Sequence, residues 1–324
     1  MAAAALFLPA LAAATTAVAD WPQMGRTPSF RSFNNVSSPC RGCGHAEWQF
    51  ANATSRLVSS PAVWNGVVYV GSDDGQLYAL EQTTGKLKWS FAQSCMPADS
   101  LRCGENGIRS SPAVDITDGS VAFGSYDGHA YKVSAEGKLL WSYKTGGKIY
   151  SPATIDLDGT VFVGTMRPDN CLYALAGGAA AAASERLKWK ACGQQGALRS
   201  GEMNSGPAIG DPGGSAADMV VMNNFDKHIR AFNRSSGALL WSHEVKGPSG
   251  GSATIVGSTV YVGSWDKNFY ALDASSGGKV LWSFASGGEI ESHPAFVDGV
   301  VYITAEESHA MYALDSTTGK QIWK

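Results

Sequence analysis

The chain has 324 residues, of which 44% are hydrophobic and 16% are charged, and its formal net charge is −3. This composition can build one large domain or two ordinary ones and argues against intrinsic disorder. Because the chain is weakly acidic and has no basic run, nucleic acid and anionic membranes are excluded as expected partners.

The first nineteen residues predict a signal peptide, 1–19. They are apolar, too short to span a bilayer comfortably, and end in Ala17-Val18-Ala19, which is an A-x-A cleavage pattern. We therefore expect a secreted protein, extracellular or periplasmic, whose mature chain begins at Asp20, and we see no transmembrane segment elsewhere. Because no Lys or Arg precedes the apolar run, an Ala-rich tail or an organellar leader stays open as an alternative.

The cysteines agree with export. There are six, in three sequence-local pairs, as expected in an oxidising compartment: Cys40 and Cys43, Cys95 and Cys103, Cys171 and Cys192. We predict a disulfide within each pair, with Cys171–Cys192 bridging two antiparallel strands. In CRGCGH, residues 40–45, Gly44 separates the second cysteine from the histidine, so the c-type haem pattern fails, and no further soft ligands for zinc are near.

Three N-x-S/T sequons occur, at Asn35, Asn52 and Asn233. They predict glycosylation if the protein belongs to a eukaryotic secretory pathway and are otherwise accidents of composition.

A repeat that ends on tryptophan runs through the rest of the chain. The tryptophans are Trp48, Trp89, Trp141, Trp189, Trp241, Trp282 and Trp323, at intervals of 41 to 52 residues. Each of the last six follows a turn and an apolar strand, as in TGKLKW, and is preceded by segments like SPAV, VYVGS and LYAL. Each copy therefore predicts four strands, A to D, joined by tight turns. Because one such sheet buries neither face alone, six copies predict an all-β propeller with the indoles between blades.

The repeat resembles that of a known superfamily. YALDSTTGKQIW, residues 312–323, and its five relatives are similar to the tryptophan-docking motif of the PQQ-type β-propeller, and DWPQMGRTPSFRSFN followed by AEWQF is similar to its N-terminal segment. The resemblance covers 20–324, which we treat as one propeller domain. It implies the fold only, since the superfamily holds quinoprotein alcohol dehydrogenases, polyvinyl-alcohol-dehydrogenase-like proteins and non-catalytic BamB-type lipoproteins.

The number of strands leaves a remainder. HAEWQF around Trp48 reads as a seventh strand D without its own A, B and C, and in the superfamily such a strand pairs with strands from the C-terminus. Either six blades close with a spare strand, or the sequence is a truncated seven- or eight-bladed ring. We expect that the C-terminus as given does not close the ring.

The D–A and B–C connections lie on one face of a propeller. Two D–A connections are long, Ala92–Ile108 and Ala191–Met203, and long loops on this face indicate either binding or neutral insertion. The Ala-rich tract Ala176–Ala183 is a C–D insertion on the opposite face, and we expect a mobile loop there.

The strands A line the central channel and supply the candidate site. Aligning the SPA segments places Val58, Arg109, Ile149, Asn204, Ser249 and Glu291 at one register near the channel mouth. We select Arg109, Asn204 and Glu291 as ligand-binding candidates for a carboxylate, sugar or quinone; the alternative is a wet polar rim.

The resemblance raises the question of PQQ and calcium. The family's dehydrogenases stack the quinone on adjacent cysteines, which this chain lacks, and its Asp-Gly pairs are explained by turns. We expect no catalytic residue, no metal and no cofactor. The leading hypothesis is a module that binds a partner protein or small ligand at the D–A face; the rival is a PQQ- and calcium-dependent alcohol or polyvinyl-alcohol dehydrogenase-like oxidoreductase.

Overall fold

The computed structural model describes residues 48–93, 107–192, 203–210, 216 and 218–324. Over these residues the protein consists of six four-stranded sheets, in each of which the strands follow one another in chain order and pair antiparallel. The predicted signal peptide, Asn35 and four of the cysteines (Cys40, Cys43, Cys95 and Cys103) lie outside the described residues. So does most of both long D–A connections.

The strands of blades 1 to 3 are β1 (Ala62–Trp64), β2 (Val67–Gly71), β3 (Gln76–Glu81), β4 (Leu87–Ala92), β5 (Ala113–Val114), β6 (Val121–Gly124), β7 (His129–Val133), β8 (Leu139–Lys144), β9 (Thr154–Ile155), β10 (Val161–Gly164), β11 (Cys171–Leu175) and β12 (Leu187–Cys192). Those of blades 4 to 6 are β13 (Ala208–Ile209), β14 (Met219–Asn223), β15 (His228–Asn233), β16 (Leu239–Glu244), β17 (Thr254–Val256), β18 (Thr259–Gly263), β19 (Asn268–Asp273), β20 (Lys279–Ala285), β21 (Ala295–Val297), β22 (Val300–Ala305), β23 (Ala310–Asp315) and β24 (Gln321–Trp323). The predicted six complete repeats are therefore confirmed.

Burial follows the position of a strand in its blade. In blades 1 to 5, strands B and C are largely covered on both faces, so β10 is buried at every residue without polar alternation. In blade 6, strands B and C (β22 and β23) include half-buried and exposed residues. The outer strands D face solvent, and β4 is largely exposed. The inner strands A contact one another from blade to blade, as β1 does with β5 and β5 with β9. The strands A therefore lie at the inner edges of neighbouring blades, where the sequence predicted them.

Tryptophans join each blade to the next. The indole N–H of Trp89 donates to the carbonyl of Ala135 in blade 2 at 2.8 Å, and that of Trp241 donates to Ala274 in blade 5 at 3.0 Å. The rings lie on glycines of the following C–D turn; a Cβ added to Gly137 would come within 2.7 Å of Trp89. These glycines also have positive φ, so a side chain is disfavoured there by both conformation and space.

The segment around Trp48 packs on blade 1 in the same way. Its indole N–H donates to Gln82 at 2.8 Å, and Phe50 meets the ring of Tyr78 edge-on at 5.1 Å between centroids. At the other end of the ring, Trp323 is 44% exposed, and its indole N–H has no hydrogen bond to a described residue. The sheet of blade 6 contains only its own four strands, so no described pairing joins the Trp48 segment to it.

The disulfide predicted for the third repeat is confirmed. Cys171 on β11 and Cys192 on β12 are directly opposite in the antiparallel register, with Cα atoms 3.9 Å apart, and form a disulfide. The sequence placed them within one residue of this register because the turn between strands C and D sets the pairing.

The Ala-rich insertion is more organised than the mobile loop we expected. The Arg186 guanidinium donates to the carbonyls of Ala176, Gly178 (2.6 Å) and Ala181 (2.8 Å) and stacks on Trp141, with Cζ 4.7 Å from the ring centroid. A planar cation with five donors can bind several carbonyls at once. The low-complexity composition of the tract gave no indication of these contacts.

Candidate functional site

The pairing registers fix which residues surround the channel mouth. In each blade, one residue of strand A pairs through strands B and C to the blade tryptophan, as Ala62 does through Tyr69 and Ala79 to Trp89. The six equivalent residues of strand A are Ala62, Ala113, Thr154, Ala208, Thr254 and Ala295. Four positions earlier in the chain stand Val58, Arg109, Tyr150, Asn204, Gly250 and Glu291.

Two of the six predicted channel residues are therefore wrong by one position. Ile149 is fully buried and packs on Gly124, where an added Cβ would lie 2.1 Å from its side chain. Ser249 is also buried, and its hydroxyl donates to the carbonyl of Gly263 at 2.5 Å. The error arose because Ser-Pro-Ala is shifted by one residue against the strand register in blade 3 and is absent from blade 5.

The three selected candidates do not come together. Arg109, in blade 2, is half-buried and bound to Asp73, whereas Glu291, in blade 6, is exposed. Asn204 is half-buried, and its Oδ1 atom has no hydrogen-bond partner among the described residues. Among the described residues, no hydrogen bond, ion pair or ring contact joins any two of the three, so each belongs to a different part of the mouth.

Aromatic residues at the B–C turns were missed by the sequence reading. Tyr126, Phe225 and Trp265 stand two residues after the end of strand B in their blades, and all three are half-buried. Tyr126 contacts Tyr150 at 6.1 Å between centroids, and Phe225 contacts Trp265 edge-on at 5.2 Å. The signal was present in GSYDG, NNFDK and GSWDK, where an aromatic precedes the turn aspartate.

One side of the mouth is basic. The carboxylate of Asp73 is bound by Arg56 and Arg109, with Nη2–Oδ2 at 2.9 Å and Nε–Oδ1 at 2.6 Å. The Arg109 guanidinium and the Lys148 ammonium both lie over the ring of Tyr126, at 4.7 and 5.3 Å from its centroid. The hydrogen bond to Asp73 raises the pKa of Arg109 despite the opposing effect of burial, so this cation is permanent.

The other side is acidic. Although Glu291 is exposed, partial desolvation of its carboxylate, with smaller effects from Glu306 and Glu289, raises its pKa. Blade 5 has glycine at the channel register, and a Cβ added to Gly250 would lie 3.1 Å from Glu291 Oε1 and 3.6 Å from Phe225 Cζ. Gly250 thus leaves a notch between a carboxylate and an aromatic edge.

The Asp-Gly pairs form turns, as predicted. Oδ1 of Asp74, Asp118, Asp127 and Asp158 accepts the backbone N–H two residues later, at 2.8–3.0 Å, and the glycine between has φ of +74 to +81°. In the part of the chain that the structure describes, no three His, Cys, Asp or Glu residues are grouped to hold a metal.

A quinone with its calcium ion does not fit the described mouth. Such a cofactor needs a cation held by several oxygen ligands beside a stacking surface. Glu291 contacts neither a carboxamide nor a second carboxylate among the described residues, and the disulfide of Cys171 and Cys192 lies between strands C and D. We therefore derive no chemical step through this group.

Six four-stranded blades, linked by tryptophans around a channel, define the class: a PQQ-repeat β-propeller. The described residues contain no helix that is long and apolar enough to cross a membrane. A sequence model of the family described as outer membrane protein assembly factor BamB matches residues 43–203 and 226–324. The chain belongs to this family.

Individual relatives show how broad the similarity is. Tetrathionate hydrolase of Acidithiobacillus ferrooxidans is 28% identical over 271 residues, which are 76% of this chain and 48% of that protein. The dehydrogenase subunit of the quinone alcohol dehydrogenase of Gluconobacter oxydans is 30% identical over 131 residues, 39% of this chain and 17% of that one. The chain thus spans half or less of either relative. The crystal structure of BamB from Moraxella catarrhalis superposes with a TM-score of 0.62 at 17% identity, covering 83% of this chain and 75% of that one.

Proposed function

We propose that this chain is a non-catalytic binding module that works outside the cytoplasm and holds a segment of a partner protein across its channel mouth. The binding surface, here called the mouth face, consists of Arg109, Tyr126, Tyr150, Phe225, Trp265 and Glu291. The observation that carries the proposal is two pairs of half-buried aromatic side chains: Tyr126 and Tyr150 at the basic side, and Phe225 and Trp265 at the acidic side. Aromatic residues and arginine are the side chains that protein interfaces favour.

The setting outside the cytoplasm rests on two observations. The N-terminus has the pattern of a signal peptide, and Cys171 and Cys192 form a disulfide between two regular strands. Structural disulfides persist in oxidising compartments. The family's description as an outer membrane assembly factor supports the same setting and an interaction role.

Photo-crosslinking tests the proposal. Phe225 on the mouth face and Trp64 at an A–B turn on the opposite face are both half-buried aromatic residues, so each is replaced in turn by p-benzoylphenylalanine in the exported protein. We expect a discrete protein adduct from position 225 and none from position 64. Adducts of equal yield from both positions, or none from either, would contradict a dedicated mouth face.

The second candidate function is a quinoprotein-type oxidoreductase, favoured by the similarity to the quinone alcohol dehydrogenase subunit. It is tested by reconstitution with PQQ and Ca²⁺ followed by dye-linked oxidation of simple alcohols. Because the described residues of the mouth contain no grouped set of oxygen ligands, we expect no turnover above that of the protein without PQQ. Turnover lost in Glu291→Ala would replace the binding proposal by the enzymatic one.

A further inference from the structure

Asp73 departs from the pattern of the repeat. The equivalent residues in the other blades are Tyr126, Met166, Phe225, Trp265 and Glu306. The side chain of Asp73 is only 3% exposed. A carboxylate taken out of water at this depth needs charged or hydrogen-bonding partners to remain ionised.

Two arginines supply those partners. Arg109 binds bidentately, with Nε–Oδ1 at 2.6 Å and Nη2–Oδ2 at 3.2 Å. Arg56 approaches Oδ2 with Nε at 3.0 Å and Nη2 at 2.9 Å. Two guanidinium groups on one carboxylate leave one net positive charge. They also leave donors that Asp73 does not use, because each guanidinium carries five N–H groups.

The arrangement is fixed before any ligand arrives. The backbone N–H of Asp73 donates to the carbonyl of Arg56 at 2.8 Å, so the segment that carries the first arginine is tied to the B–C turn that carries the carboxylate. Gly107 lies so close that an added Cβ would be 2.6 Å from Asp73 Oδ1. The guanidinium of Arg109 rests on Tyr126, whose ring Lys148 also covers.

The group opens to solvent on its cationic side. Arg56 is 73% exposed and Arg109 is 24% exposed, while the anion between them is covered. The next carboxylate, Asp74, is engaged elsewhere: its Oδ2 accepts the hydroxyl of Tyr78 at 2.8 Å and the N–H of Thr54 at 2.9 Å. A ligand therefore meets guanidinium, ammonium and an aromatic ring rather than a carboxylate.

We propose that Arg56, Arg109 and Lys148 form a carboxylate-binding site, oriented by Asp73 and backed by Tyr126. The proposal rests on the proposed function, because this site would anchor an acidic group of the segment held at the mouth face. Paired guanidinium groups recognise planar carboxylates through parallel N–H···O bonds. The carboxylate can come from a partner's acidic side chain or from a free dicarboxylic acid.

The test measures binding of a C-terminally amidated tri-glutamate peptide with an uncharged BODIPY label on its N-terminus by anisotropy, with the equally labelled and amidated tri-glutamine peptide as its neutral counterpart. We expect only tri-glutamate to bind, and Arg56→Gln to weaken it about fivefold or more, since a charge-assisted hydrogen bond is lost. We choose Arg56 for the substitution because its side chain is exposed, so the protein should still fold when it is replaced. The matched control is Arg234→Gln, an arginine paired with Asp156 on the opposite face, which should leave the affinity unchanged.

Two further arms decide the ligand. Unlabelled glutarate that displaces the peptide identifies a free dicarboxylate as sufficient, whereas displacement only by unlabelled tri-glutamate assigns the site to a protein segment. Equal binding of tri-glutamine, equal loss in Arg234→Gln, no loss in Arg56→Gln, or displacement by inorganic phosphate but not by carboxylates would overturn the proposal. Because the peptide assay does not use position 225, the carboxylate site and the wider binding face can fail separately.

Discussion

Lys132 is a buried cation at a position where the repeat otherwise has alanine. Its side chain is 2% exposed, and its ammonium donates to Asp115 at 2.8 Å and to the carbonyl of Gly177, in the next blade, at 3.2 Å. Burial alone would raise the pKa of Asp115, but hydrogen bonds from Lys132 and Thr117 lower it below its ordinary value. The pair therefore ties blade 2 to blade 3 with both charges present.

Lys132→Ala should destabilise the protein although it restores the repeat consensus. The substitution leaves Asp115 buried without its cation, which costs about 3 kcal/mol in comparable cases. Urea denaturation measures the loss. The double variant Lys132→Ala/Asp115→Asn should recover part of it, and a single variant as stable as the wild type would show that Asp115 is solvated.

His293 makes stability depend on pH. It occupies the position of Ser60 and Ser111 on the inner strands, and its Nε2 lies 2.6 Å from the hydroxyl of Ser252. Burial lowers the pKa of His293 to about 4. An unfolded histidine titrates near pH 6.5, so the unfolded state binds a proton between these values while the folded state does not.

The free energy of unfolding should therefore keep the full contribution of neutral His293 above about pH 7. It should fall between pH 6.5 and 4, by about 1–3 kcal/mol from this residue. His293→Ser, which places the residue of blades 1, 2 and 5 there, should flatten this part of the profile in urea denaturation between pH 7.5 and 4.5. The exposed His309→Ser is the control and should keep the wild-type slope; equal slopes in all three proteins would contradict the assignment.

At the scale of single residues, the sequence predicted that polar residues lie at the channel register, but it misplaced two members of the register by one position. Arg109 and Glu291 do lie at the channel register, but Ile149 and Ser249 are displaced by one residue, because the register of an inner strand depends on pairing with strand B. Asp73 could have been noticed, since GSDDG puts a carboxylate where three of the other five repeats have an aromatic residue. Its two arginines could not, because the segments that supply them lie 17 and 36 residues away.

Among the elements, the C–D connection of blade 3 is held by side chains from outside its Ala-rich tract. Arg186 gathers three carbonyls of the Ala-rich tract and covers Trp141, which itself donates to Gly177 at 3.1 Å. The tract offers no other polar side chain before the short 3₁₀ turn Ala183–Glu185. Order in this connection therefore comes mainly from Arg186, which follows the turn, and in addition from Trp141 and Lys132 of blade 2 at Gly177.

Arg186→Ala should loosen this connection without unfolding the blade. Amide hydrogen exchange of residues 176–185 should rise, because their carbonyl contacts are lost, while β11 and β12 stay protected by the disulfide and their ladder. We expect an overall loss of about 1–2 kcal/mol. Lys279→Ala on the exposed outer strand of blade 5 is the control; unchanged exchange in Arg186→Ala would show that the tract is ordered by other means.

The elements themselves were predictable from periodicity. All four strands of each repeat form where the SPA, VYVGS, LYAL and tryptophan segments predicted them, since turns and alternation are local properties. Cys171 and Cys192 pair for the same reason. The order of the Ala-rich tract was not predictable, because it depends on a stacking contact with another blade.

For the whole molecule, each indole hydrogen bond runs from one blade to the blade that follows it in the chain. Trp241→Phe removes an indole N–H that donates to Ala274 in the next blade, and we expect a loss of about 1 kcal/mol. Trp323→Phe should change little, because its indole has no such acceptor among the described residues. Thermal unfolding of the two variants compares them directly, and equal losses would mean that the hydrogen bond contributes nothing at the blade interface.

This one-way series of contacts has a mechanical consequence. Each blade from 1 to 5 is fastened to its successor by an indole, but among the described residues the outer strand of blade 6 is held only by its own sheet. A pulling force applied at Lys324 would act on β24 before it reached any indole hydrogen bond between blades. The propeller should therefore give way in steps from this end, one blade at a time, each step ending when the next indole takes the tension.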